Sequence, residues 1–127
     1  MYKVRVEDDF AAAHFLQDYH GKCENLHGHN YKVFVYLKGE FLNEGGMLYD
    51  FSVLKQNLKS VLKLLDHTNL NDLQEDGKFV FAQNPSAERI AKFIFDKLLY
   101  ASPDLQNLLY RVDVFETEKN RASYFLC

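Results

Sequence analysis

The sequence predicts a single α+β domain with the element order ββααββ, on three observations. Apolar/polar alternation marks residues 2–7 and the odd positions from His27 to Leu37, and it returns at 110–116. Apolar residues recur at helical spacing after Asp50 and again after Ser86. Strands gathered on either side of a central pair of helices make a segregated α+β fold rather than an alternating one. At 127 residues the chain can bury one core and is too short for two, so the domain runs 1–127.

Composition narrows the function classes. Hydrophobic residues at 47% and charged residues at 26% are those of an ordinary globule. The net charge of −3 comes without any basic run or stripe, so nucleic-acid binding has no electrostatic footprint. No apolar run approaches the roughly 20 residues that cross a bilayer, so no membrane partner is expected. The alternating start Met1 to Glu7 is no signal segment, and a cytoplasmic location is expected. Two cysteines, Cys23 and Cys127, are too few for a disulfide framework.

The first strand sets Tyr2, Val4 and Val6 against Lys3, Arg5 and Glu7, and the run Phe10 to Phe15 continues it, apolar and small. His14 near its end is a candidate metal ligand; the alternative is a buried neutral histidine bonded to backbone. Residues 16–26 are polar and turn-like, which puts Cys23 on a loop entering the second strand. There His27, His29, Tyr31, Val33, Val35 and Leu37 share one face. Two imidazoles on a core-facing side need partners, since an unpaired buried polar group costs roughly 1–3 kcal/mol. A metal would satisfy them, and a catalytic zinc wants three protein ligands and one open position. Gly28 adds no bulk where a ligand must approach. Cys23 is open to three readings: a fourth ligand, a base or nucleophile beside the metal, or an inert thiol.

Gly39 to Gly46 reads as a turn, and Asp50 as the N-cap of a helix carrying Phe51, Leu54, Leu58, Val61, Leu62 and Leu65 on one stripe. The segment beyond it holds Asp66 next to His67. A carboxylate that orients an imidazole suits acid/base work; a histidine stabilised by the helix dipole is the alternative that spacing alone favours. Residues 73–83 read as a loop with a short extended piece at 78–81. Asn84-Pro85-Ser86 opens the second helix, with Asn or Ser as cap and Pro in the first turn. Ala87, Ile90, Ala91, Ile94 and Leu98 form its apolar stripe. In the third strand Glu116 falls on the face of Tyr110, Val112 and Val114, as a solvated tip or as a buried anchor for a ligand. Ala122 to Leu126 forms the closing strand.

Six pieces of this chain together resemble the 6-pyruvoyl-tetrahydropterin synthase/6-carboxy-tetrahydropterin synthase family. They are Phe10-Ala11-Ala12-Ala13-His14; Cys23 followed after three residues by His27-Gly28-His29; Tyr49-Asp50-Phe51 with Leu54-Lys55; Leu65-Asp66-His67 with Leu70-Asn71; Asn84-Pro85-Ser86-Ala87-Glu88; and Val114-Phe115-Glu116-Thr117 with Tyr124. The resemblance implies the tunnelling fold, a four-stranded antiparallel sheet with two helices on one face. It implies assembly into a homotrimer or a homohexamer of two trimers, with active sites between subunits.

Carried over by position, the resemblance makes His14, His27 and His29 ligands of Zn2+. Cys23 becomes the proton-transferring base, and Asp66 with His67 an acid/base pair that a neighbouring subunit can supply. Glu116 holds the guanidine-like edge of the pterin, assisted by Thr117, and Ser86 keeps the hydroxyl that many members carry as Thr. The implied substrate is 7,8-dihydroneopterin triphosphate. The three-residue gap after Cys23 resembles the enzymes that make 6-carboxy-tetrahydropterin for queuosine and other 7-deazapurines, whereas five residues mark the 6-pyruvoyl synthases. Glu24 resembles the glutamate of forms that cleave the side chain to 6-hydroxymethyl-dihydropterin for folate; its alternative is a solvated loop charge. A non-catalytic pterin- or metal-binding module would need neither Cys23 nor His67, and both are present.

Overall fold

The computed structural model of the chain describes residues 1–17 and 25–127. In chain order they form β1 (Tyr2–His14), β2 (His27–Gly39), α1 (Phe51–Leu62), β3 (Thr68–Asn69), β4 (Gln74–Glu75), β5 (Lys78–Phe79), α2 (Ala87–Ala101), β6 (Leu109–Thr117) and β7 (Asn120–Phe125). Short 3-10 turns at Leu70–Asp72 and Pro103–Leu105 follow β3 and α2.

The main sheet runs β3-β1-β2-β6-β7. The four long strands are antiparallel neighbours, as expected, but the sheet is not four-stranded: β3 adds a fifth strand, parallel to β1, through Ala12 with Thr68 and Ala13 with Asn69. A separate two-stranded ribbon, β4-β5, occupies the region expected to be loop. The two departures have different causes. β3 is too short to show a period and is held by a long-range partner, whereas β4 and β5 close a local hairpin through Asp76 and Gly77, both with positive φ, so that β5 falls within the extended piece expected at 78–81.

Pairing of β1 with β2 is unbroken from Tyr2 opposite Gly39 to His14 opposite His27. Alternate residues therefore line one face: Val6, Phe10 and Ala12 of β1, Tyr31, Val33, Val35 and Leu37 of β2, Val112 and Val114 of β6 are all buried. Against this face lie Leu54, Leu58, Val61 and Leu62 of α1 and Ile90, Ala91, Ile94, Phe95 and Leu98 of α2. Each such fully buried aliphatic side chain stabilises the fold by about 1.5–3 kcal/mol.

Local signals fix the helix starts. Asp50 caps α1 by accepting from Ser52 N–H at 2.7 Å, and Ser86 caps α2 by accepting from Arg89 N–H at 3.3 Å. Pro85 thus precedes the cap instead of sitting in the first turn, which leaves its carbonyl free for another task. No helix among the described residues is long and apolar enough to cross a membrane.

Candidate metal centre

The β1–β2 register builds the site. His14 faces His27 directly, and His29 lies opposite Ala12, so all three imidazoles project from the helix-covered face at one end of the sheet. They continue the row that begins with Tyr31. Ring centroids are 4.6 Å apart for His14 and His27, 4.7 Å for His27 and His29, and 5.2 Å for His14 and His29. Glu116, near the end of β6, brings a carboxylate to the same point, and the four donor atoms lie within 4.8 Å of one another.

Hydrogen bonding decides which ring atoms are available. His14 Nδ1 is 2.8 Å from the Pro85 carbonyl, and His27 Nδ1 is 2.6 Å from the Asn25 carbonyl. A carbonyl only accepts, so both Nδ1 atoms carry the proton and both Nε2 atoms keep a lone pair. This is how metal-binding histidines are oriented by their second partners. The Nε2 atoms of His14 and His29 and the hydroxyl of Tyr31 are buried without a hydrogen-bond partner. Orphaned buried polar atoms are rare, and three converging in one spot call for a bound group.

His29 Nε2 approaches Glu116 Oε1 to 3.0 Å without hydrogen-bond alignment, and His14 Nε2 stands 4.0 Å from the same oxygen. Burial, chiefly, holds the His29 imidazole below its ordinary range, although Glu116 pulls the other way. Three imidazole nitrogens at one point are a donor set suited to a transition-metal dication, with the Glu116 carboxylate beside them.

Asp66 and His67 form a second unit. Asp66 Oδ2 is 2.9 Å from His67 Nδ1, while its Oδ1 accepts from Ala11 N–H at 2.9 Å. These hydrogen bonds, the Ala11 one foremost, hold the Asp66 carboxyl below the usual range. The dipole reading does not apply, because α1 ends at Leu62 and His67 stands beyond it with φ 59°. That left-handed backbone, tied by His67 N–H to the Ala11 carbonyl, swings the ring into solvent, where its side chain is 83% exposed. The pair opens onto the face of the sheet presented by Ala11 and Asn30, opposite to the face bearing the three histidines. No hydrogen bond or ion pair joins the two units among the described residues. A depression of about 500 Å³ lined by both His29 and His67 lies at the strand end between them.

The remaining expected residues are dispersed. Ser86 is a helix cap, and Thr117 Oγ1 accepts from Lys119 N–H at 3.2 Å in the β6–β7 turn. Cys23 and Glu24 lie outside the described residues. A Cβ on Gly28 would meet only the Ala12 carbonyl, at 3.7 Å, so the chain itself does not require glycine there. Pro85 and Asn25 went unread as site residues, because a carbonyl's role leaves no mark on side-chain pattern.

Comparison with known proteins identifies the family and the fold. Residues 3–126 match the family described as 6-pyruvoyl tetrahydropterin synthase. The 6-carboxy-5,6,7,8-tetrahydropterin synthase of Synechocystis sp. is 40% identical over 98% of this chain and 94% of its own. The structure of Caenorhabditis elegans 6-pyruvoyl tetrahydropterin synthase superposes with a TM-score of 0.83 at 33% identity, covering 99% of this chain and 96% of that one. Plasmodium vivax 6-pyruvoyltetrahydropterin synthase, at 26% identity and a TM-score of 0.78 over 97% and 96% of the two chains, has been solved with a catalytic glutamate replaced by alanine and by cysteine. The chain is an enzyme that belongs to the 6-pyruvoyl tetrahydropterin synthase family.

Proposed function

We propose that the protein converts 7,8-dihydroneopterin triphosphate to 6-carboxy-5,6,7,8-tetrahydropterin, acetaldehyde and triphosphate, with zinc held by His14, His27 and His29. The observation that carries the reading is the set of three imidazoles whose Nδ1 protons are directed to carbonyls or whose Nε2 is orphaned, so that the lone pairs converge. The spacing of Cys23 from His27 and the Synechocystis relative favour the 6-carboxy product. When bound, zinc supplies Lewis-acid polarisation of a side-chain hydroxyl of the substrate.

The chain's own residues supply the rest. Cys23, as a thiolate, removes a proton from the substrate side chain. Asp66 fixes the His67 ring through Nδ1, which makes His67 Nε2 the atom that gives and takes protons. Glu116 accepts two hydrogen bonds from the guanidine-like edge of the pterin, a charge-assisted contact. Ser86 and Thr117 each accept a backbone N–H through the oxygen, so each hydroxyl proton stays available to donate. The separation of Asp66 and His67 from the histidine face supports a subunit-shared site in a homotrimer or homohexamer.

A second reading is side-chain cleavage to 6-hydroxymethyl-dihydropterin with Glu24 as the base, supported by the catalytic glutamate of the Plasmodium vivax relative. Cys23→Ala separates the two. On the first reading turnover falls by about 100-fold or more while bound zinc is unchanged. Undiminished turnover would remove Cys23 from the chemistry and leave Glu24 as the base.

A further inference from the structure

Beyond His14 no strand pairs with the chain among the described residues, since the β1–β2 ladder ends at His14 opposite His27. Its backbone is nevertheless paired. Phe15 N–H donates to Asn71 Oδ1 at 2.9 Å, and Asn71 Nδ2 donates back to the Phe15 carbonyl at 3.1 Å. Gln17 repeats the pattern with Asn84, at 2.6 Å and 2.9 Å. Exchange of both backbone bonds with one partner is what a neighbouring antiparallel strand provides. Here two carboxamides, one from the turn after β3 and one from the loop before α2, stand in for that strand.

The brackets are themselves held. The Asn84 carbonyl accepts from Ser86 N–H at 2.9 Å and from Arg89 Nη1 at 3.1 Å, and Asn71 N–H donates to Asn69 Oδ1 at 3.2 Å. Asn84 also adjoins Pro85, whose carbonyl receives the His14 Nδ1 proton. The aim of His14 Nε2 depends on the distance between two backbones, that of residues 14–17 and that of residues 84–85. The Asn84–Gln17 pair ties those two backbones together, and the Asn71–Phe15 pair holds the first of them at the residue next to His14.

We infer that Asn84 and Asn71 are positioning residues for the metal centre, fixing the His14 imidazole through the backbone that carries it and the carbonyl that orients it. This rests on the reading of the three histidines as ligands and names what aligns them. Partners that orient a ligand are typically worth about 10- to 100-fold in metal affinity. Asn43, which accepts from Gly45 and Met47 N–H in a distant turn, is a matched control that closes backbone with no histidine behind it.

The test is zinc affinity of the full chain, measured by competition with a chromophoric chelator. Asn84→Ala should bind zinc about 10- to 100-fold more weakly than wild type, with Asn71→Ala also weaker and Asn43→Ala within about twofold. Asn84→Asp, which keeps the acceptor for Gln17 N–H and loses the donor, should fall between. In a His14→Ala background the Asn84→Ala change should add less than about twofold, because no imidazole remains to be aimed. Wild-type affinity in both asparagine variants would overturn the inference, as would an equal loss with His14 already removed. A wild-type chain that binds no zinc would instead overturn the ligand reading beneath it.

Discussion

His14 and His27 should be separable, although both are assigned to the same ion. His14 is fully buried, and its Nδ1 proton goes to a buried carbonyl; His27 is partly exposed, and its bond to Asn25 lies at the surface. In metal-free protein, His14→Ala strands the Pro85 carbonyl at a cost of about 1–3 kcal/mol and removes the orphaned Nε2, which relieves a similar amount. These nearly cancel. What remains is the cavity left by the ring, about 3 kcal/mol, the low end for a large side chain because imidazole is smaller than benzene. With an unfolding entropy of ~2.1 cal/mol/K per residue over this length, about 0.27 kcal/mol/K, the melting temperature falls by about 11 °C. His27→Ala leaves no closed cavity and should cost less than about 1 kcal/mol, or about 4 °C. Zinc at about 100 times its dissociation constant should raise the wild-type melting temperature by about 10 °C, from ~2.7 kcal/mol of linkage, and should raise neither variant's comparably. Circular dichroism melts of chelator-stripped and zinc-loaded protein at one protein concentration read all six values. A metal-free His14→Ala protein melting within about 3 °C of wild type, or a His27→Ala protein falling as far as His14→Ala, would refute the reasoning.

Two further outcomes follow from other parts of the fold. On the face away from the helices Asp113 is fully buried and accepts from Ser123 Oγ at 2.5 Å, Arg111 Nε at 2.7 Å and Tyr36 Oη at 2.9 Å. Burial pushes its carboxyl up, but the bonds from Ser123, Arg111 and Tyr36 outweigh that and hold it below the usual range. Asp113→Ala should cost about 3 kcal/mol at neutral pH, seen in denaturant unfolding, because Arg111 loses its partner. A depressed carboxyl stabilises the fold above its ordinary titration range and ceases to do so as pH falls through the depressed value, so the gap between wild type and variant should narrow only below about pH 4; a gap independent of pH down to 2 would contradict this. His67→Asn keeps a residue that tolerates the left-handed backbone and deletes only a solvent-facing ring, so melting should change by less than about 2 °C while turnover drops about 100-fold; full turnover would exclude His67 from proton transfer.

Much of the architecture was legible because it rests on period. The alternation from His27 to Leu37 shows in advance that two imidazoles share a face with the core, and the register of β1 with β2 then sets His14 opposite His27. Asp50 as cap, the α2 stripe and the middle of the α1 stripe, Leu54 to Leu62, are local signals that tertiary packing did not override; at the ends of the α1 stripe Phe51 is exposed and Leu65 lies past the helix. What could not be read depends on single long-range bonds. The parallel contact of β3 with Ala12 and Ala13, the carbonyl of Pro85 under His14 and the carboxamides of Asn71 and Asn84 have no repeat to betray them. The β4–β5 ribbon is different: its Asp76-Gly77 turn is a local signal. The dipole alternative for His67 fails for a related reason: the left-handed turn there, bonded to Ala11, takes the residue off the helix axis.

The most direct test of the proposed activity is the product formed from 7,8-dihydroneopterin triphosphate by the purified, zinc-loaded chain, identified by mass spectrometry. The account predicts 6-carboxy-tetrahydropterin together with one equivalent of acetaldehyde. The appearance of 6-hydroxymethyl-dihydropterin or 6-pyruvoyl-tetrahydropterin in its place, or no turnover with zinc fully bound, would contradict it.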